Sequence, residues 1–127
     1  MASTVTSRFQ GLANTIAIKE PCVVASTANL SLSSSQVIDG VTVSTGDRVL
    51  AKNQTDTTEN GIYEVGSGSW VRAKDFNGKR DAMQGTLVLV LSGTSLQAPS
   101  LYYVSSTGIN TPDGSSTISF TQFVTTA

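Results

Sequence analysis

Few side chains in this sequence could do chemistry. It contains no histidine and one cysteine, Cys22. Without an imidazole, neither a Ser-His-Asp nor a Cys-His arrangement can be assembled, and the commonest general base and metal ligand are missing. A lone thiol cannot build a Cys-rich zinc or iron–sulfur site, nor a disulfide within the chain. No GxxxxGK[ST] or GxGxxG string offers a phosphate cradle. Nine carboxylates remain: Glu20, Asp39, Asp47, Asp56, Glu59, Glu64, Asp75, Asp81 and Asp113. Several stand beside Gly or Asn, where Asp shapes turns. Nothing else in the sequence supports a glycosidase-type carboxylate pair. Residues Asn53 to Asn60 gather oxygens of the kind a hard cation favours, but not in the pattern of an EF-hand loop. The expectation is no catalytic residue, no metal and no cofactor.

Aromatic side chains could form a sugar-stacking platform, with Trp70, Tyr63, Tyr102 and Tyr103 as candidates. Tyr102 and Tyr103 are adjacent, so on a strand they point to opposite faces. This reading places Trp70 and Tyr103 in the core and turns Tyr102 outward as the first choice for ligand contact. Cys22 precedes Val23 and Val24 and reads as a small buried hydrophobe. The mixed-sign stretch Arg72 to Asp81 reads as a solvated loop.

The elements that must position these groups are strands. A chain of 127 residues suits one domain. Only 13% of it is charged, about half the usual share, and Ser and Thr fill the gap at more than a quarter of all residues. Net charge is −1, with a pI near 5.1. Nothing therefore steers the chain to nucleic acid or to an anionic membrane, which call for clustered Lys and Arg. The longest apolar run, Leu87 to Leu91, is far too short to cross a bilayer, and the first residues lack the apolar core of a signal peptide. Synthesis in a cytoplasm without membrane insertion is expected.

From Cys22 onward, short apolar runs alternate with turn residues. Strands are expected near 22–26, 36–43, 48–52, 61–65, 69–73, 86–92, 100–105 and 117–124. Asp39-Gly40, Gly46-Asp47, Asn60-Gly61 and Gly66-Ser67-Gly68 provide turns, with Gly and Asn able to take positive φ. The clearest hairpin joins 61–65 to 69–73. Only Thr86–Ser92 looks apolar on both faces. Residues 1–20 have no period-2 pattern and read as an extended N-terminal arm ending near Pro21. Residues 21–127 form a single all-β domain, a small antiparallel sandwich or barrel. Its modest core suggests support from oligomerisation. Phe9, Leu12 and Ile16 on the arm are the expected contacts to a neighbour.

Residues 36–90 also carry a specific pattern. It consists of Ile38-Asp39-Gly40-Val41, Gly46-Asp47-Arg48-Val49-Leu50, Lys52-Asn53-Gln54-Thr55, Asn60-Gly61-Ile62-Tyr63, Trp70-Val71-Arg72-Ala73, Asp75-Phe76 and Gly85-Thr86-Leu87-Val88. This stretch resembles a domain found in phage tail-fibre and related virion proteins. The resemblance covers about 70 residues, back to Pro21; the last 30 match loosely, and residues 1–20 do not match. It implies a virion location and a structural role, in fibre or spike assembly or as a capsid decoration (head fibre) protein. Partners would be other virion proteins and further copies of the chain, most simply as a trimer. The alternative is a carbohydrate-binding adhesion module that meets a host surface glycan. Asp39, Gly40, Asp47, Lys52, Asn53, Gln54, Asn60, Gly61, Trp70 and Phe76 read as a scaffold motif, with glycines at turns, Lys52-Asn53-Gln54 bonding loop backbone and the two aromatics as anchors.

Overall fold

The structure, a computed structural model, describes residues 18–78, 81–95, 99–107, 110–112 and 115–123. Phe9, Leu12 and Ile16 lie outside these residues. The described chain is all-β. It forms β1 (Val24–Ala25), β2 (Val37–Ile38), β3 (Val41–Thr42), β4 (Arg48–Ala51), β5 (Gly61–Glu64), β6 (Val71–Arg72), β7 (Leu87–Val90), β8 (Ser100–Val104) and β9 (Phe120–Phe123). Two short 3-10 turns, Thr57–Glu59 and Lys74–Phe76, interrupt the connections.

Three small sheets result. One runs β1-β4-β5-β6, a second pairs β2 with β3, and a third runs β7-β8-β9. Neighbours within them are antiparallel, except that β1 lies parallel to β4 with Val24 opposite Val49. The expected hairpin over 61–73 is present, with Tyr63 opposite Arg72. The expected strand 36–43 instead folds back on itself at Asp39-Gly40. Both residues have positive φ, 48° and 83°, as a two-residue hairpin turn requires.

β4 is the middle of the molecule and is buried along its whole length. Leu50 faces one core with Ile62, Phe76, Val88, Val90, Tyr102 and Val104. Val49 and Ala51 face a second core with Val24, Ile38, Val43, Tyr63 and Trp70. The β7-β8-β9 sheet covers the first side, and the β2-β3 hairpin with Leu30 and Leu32 covers the other. The strand buried on both faces is thus β4 rather than the 86–92 run, where Val88 and Val90 are buried and Leu87 and Leu89 only half so.

One segment joins the sheets. Ile18 and Cys22 form parallel bridges to Leu87 and Val90. Lys19 and Cys22 donate backbone bonds to Leu87 and Leu89, and Val23 and Ser26 donate to Arg48 and Leu50. Residues 18–26 therefore switch sheets at Cys22–Val23. The expected arm is corrected at its inner end, because Ile18 to Glu20 belong to the body and Lys19 is buried.

Four steps on the segment, 18 to 22, match three steps on β7, 87 to 90. The extra residue makes a bulge, which changes the face that later side chains take. Ile18 consequently points outward while Cys22 points into the core. At the bulge the Arg48 guanidinium donates to the carbonyls of Glu20 and Pro21 at 2.8 and 3.3 Å. It also forms a two-pronged pair with Asp75 at 2.9 and 3.1 Å. Asp75 in turn accepts the Glu20 N–H. A planar guanidinium suits this double duty, since its donors form a fixed fork. The stretch Arg72–Asp81, expected as a solvated loop, supplies internal ties through Arg72, Asp75 and Asp81. Arg72 donates to the carbonyls of Thr58 and Asn60, and Asp81 pairs with Lys19 at 4.0 Å.

Breaking the clamp should loosen the seam. Arg48→Met strands the Asp75 carboxylate and two carbonyls, and should cost about 3 kcal/mol in urea unfolding at neutral pH. Asp75→Asn keeps part of the hydrogen bonding and should cost about 1–2 kcal/mol. Equal, negligible losses in both would show that the clamp does not hold the fold.

Candidate functional site

Tyr102 and Tyr103 take opposite faces of β8, in the reverse of the expected order. Tyr102 is 3% exposed and packs in the first core. Tyr103 is half-buried on the outer face. The correction follows from the partners. Tyr102 stands opposite Val88 and Tyr103 opposite Leu87, so the inward phase of β7 decides which tyrosine is inside. Burial raises the phenol pKa of Tyr102. Lys52 Nζ lies 5.4 Å from its ring centroid. Trp70 is buried, and its indole N–H donates to the Ser34 carbonyl at 3.0 Å.

On the outer face, register places Leu87, Tyr103 and Thr121 in one row and Leu89, Leu101 and Phe123 in the next. Tyr103 and Phe123 meet edge to face, with centroids 6.3 Å apart. A groove of about 540 Å³ opens here between Gly85, Leu87, Tyr103, Gln122 and Phe123. That volume falls in the range of small-ligand sites. Its lining carries no carboxylate, thiol or amine, so it offers apolar area and aromatic edges rather than proton transfer. Neither Leu87, which stands in the 36–90 pattern, nor Phe123 was expected as a contact residue; Leu87–Val90 is apolar throughout, and only the burial of Val88 and Val90 marks Leu87 as outward.

Most scaffold residues spend their polar groups on the protein's own backbone; of the expected Lys52-Asn53-Gln54 set only Gln54 does so, while Lys52 and Asn53 bond side chains. The Gln54 amide takes the Leu30 N–H at 2.8 Å and donates to the Leu30 carbonyl at 3.0 Å, copying a strand partner. Asn60 accepts the Gln54 N–H and donates to the Ile118 carbonyl. Asn53 accepts from Ser26 and Lys52. Asp47 closes its turn through the Ser44 N–H. Asp39 binds the Ser95 N–H and the Thr94 hydroxyl, tying the β2-β3 turn to residues 94–95. A Cβ on Gly40 would stand 2.9 Å from Thr94 Cγ2, and one on Gly61 would stand 2.5 Å from the Arg72 guanidinium. Phe76 is fully buried and stacks at a tilt on Phe120 at 5.8 Å.

The oxygen-rich stretch from Asn53 to Asn60 is used the same way, with Asp56 capping the 3-10 turn through the Thr58 N–H and hydroxyl. Among the described residues no group of three His, Cys, Asp or Glu could hold a metal ion. Cys22 is fully buried, and burial pushes its thiol up to about 12.

Comparison of the chain with protein-family models, with curated proteins and with solved structures finds no match.

Two outcomes follow from this geometry. Tyr102→Ala should cost about 3–4 kcal/mol of stability through the cavity it leaves, whereas Tyr103→Ala should cost less than about 1.5 kcal/mol. Chemical denaturation of both variants checks this, and the reverse order would return Tyr102 to the surface. The Cys22 thiol should resist Ellman's reagent at pH 8 until the protein is unfolded. The native state keeps the Cys22 proton up to about 12 while the unfolded state releases it near 9. The unfolded state thus binds fewer protons in that window, and this contribution to stability falls as pH rises through it, by up to about 1.4 kcal/mol per pH unit. Lys19, whose pKa burial lowers, acts in the opposite sense. Cys22→Ala should therefore show a shallower alkaline loss than the parent protein; an equal slope would contradict the assignment.

Proposed function

We propose that this protein is a structural component of a bacteriophage virion, built on a tail-fibre-type domain. It would act in fibre or spike assembly or as a capsid decoration protein. The observation that carries this reading is how the motif of residues 36–90 is used. Its polar side chains bind backbone within the domain, as a scaffold requires and as a catalytic site does not. Its resemblance to virion domains gives that scaffold a setting. No catalytic role or cofactor is assigned. Among the described residues no helix is long and apolar enough to cross a membrane. The route proposed is synthesis in the host cytoplasm followed by incorporation into the particle, as a symmetric homo-oligomer with three copies the simplest closed form.

A second reading, adhesion to a host surface glycan, is favoured by the half-exposed Tyr103 beside Phe123 on the outer face. Sugar rings stack on such aromatic edges and faces, and several copies in one assembly would multiply a weak contact.

Gradient-purified particles should contain the protein, and gold-labelled antibody should mark regular positions on the head or the tail. Its absence from particles, with all of it in the soluble lysate, would sink the virion reading. Retention on a glycan array that Tyr103→Ala abolishes would move the weight to adhesion.

A further inference from the structure

The outer face of β7-β8-β9 is apolar beyond the groove itself. Ile18, Leu87, Leu89, Leu101, Tyr103 and Phe123 share it by register. Ile18 and Phe123 are 71% and 51% exposed. Contiguous apolar ground of this kind on a small soluble domain marks a contact surface.

The chain itself points to the occupant. In the sequence, residues 1–17 immediately precede Ile18, itself a member of this face. Ile18 pairs in parallel with Leu87 at the edge of β7. Residues 9–17, FQGLANTIA, carry no charge and hold three large apolar side chains, Phe9, Leu12 and Ile16. The face they would meet is uncharged as well. Nine extended residues reach up to about 30 Å, well beyond the roughly 10 Å width of a three-stranded sheet. Such a length is enough to reach the same face on a second copy.

We propose that this face is a docking groove for residues 1–17 of a neighbouring copy, which insert Phe9, Leu12 and Ile16. The assignment rests on the reading of the protein as a homo-oligomer. Each copy then gives a segment and receives one, a head-to-tail contact that closes into a ring when the rotation allows. Three copies make the smallest ring beyond a pair.

Photo-crosslinking tests it. p-Benzoylphenylalanine replaces Tyr103 in a tagged chain, and in a second variant the exposed Thr121 one strand away. Each is co-expressed with an untagged full-length copy. Light scattering reads the assembly, and mass spectrometry maps the crosslink. The expected result is an oligomer in which both positions join to a peptide from residues 1–17 of the untagged copy. An oligomer whose crosslinks stay within the tagged chain, fall on residues 87–123 of another copy, or do not form would overturn the groove assignment while leaving the homo-oligomer standing. A monomer at micromolar concentration would overturn both. Replacing Phe9, Leu12 and Ile16 together by Ala should weaken association about a hundredfold, and an unchanged dissociation constant would also overturn the assignment.

Discussion

The architecture depends on how residues 18–26 are held between two sheets. Neither sheet is large, and β1, β2, β3 and β6 have only two residues each. Isolated pairs of that length do not survive in water. They persist because one segment completes the edge of β7 and then the edge of β4. The Arg48–Asp75 pair fixes the point of exchange by gripping the two peptide units at the bulge. It also explains a charged pair in so thin a body. The carbonyls of Glu20 and Pro21 turn away from the strand ladder and need donors, and Pro21 has no N–H to offer in return.

Much of this was legible in the sequence, and what was not has a common cause. Turn chemistry located the β2-β3 turn at Asp39-Gly40 and the hairpin through Gly66-Ser67-Gly68, because Gly and Asp report local backbone needs. Strand positions followed from the same punctuation. Pairing between distant segments has no such signature. The parallel contacts of residues 18–25 join segments far apart in sequence, so the expected strand near 22–26 carried no sign of which strands it would pair with. The phase of each strand is likewise a tertiary fact. Tyr102 and Tyr103 are interchangeable by alternation alone, and only the inward set of β7 tells them apart. The charges of Arg72, Asp75 and Asp81 looked like a surface loop because their partners Thr58, Arg48 and Lys19 lie far off in sequence.

The same division separates the two halves of the molecule. Around β4, polar side chains turn inward to backbone, and Gln54, Asn60, Asp39 and Arg72 each replace a missing ladder bond. Buried polar groups satisfied in this way specify one arrangement of the loops. Around β7-β8-β9 the exposed ground is apolar and carries no such network. Internal polar ties are concentrated around β4, and exposed apolar ground on the outer face of β7-β8-β9.

The seam also sets an order of events during synthesis. Cys22 meets Val90, which lies 68 positions later. At roughly 5–20 residues per second, ribosomes make the first of these several seconds before the second. The apolar run Cys22-Val23-Val24-Ala25 therefore leaves the ribosome without its partner strand, and β4 can cover only its distal half. Completion of the body waits for the last third of the chain, and contacts so distant in sequence form slowly. A nascent chain stopped before β7 would leave uncovered the side of β4 that carries Leu50. The translated length at which folding becomes possible is thus written into the pairing of residue 22 with residue 90.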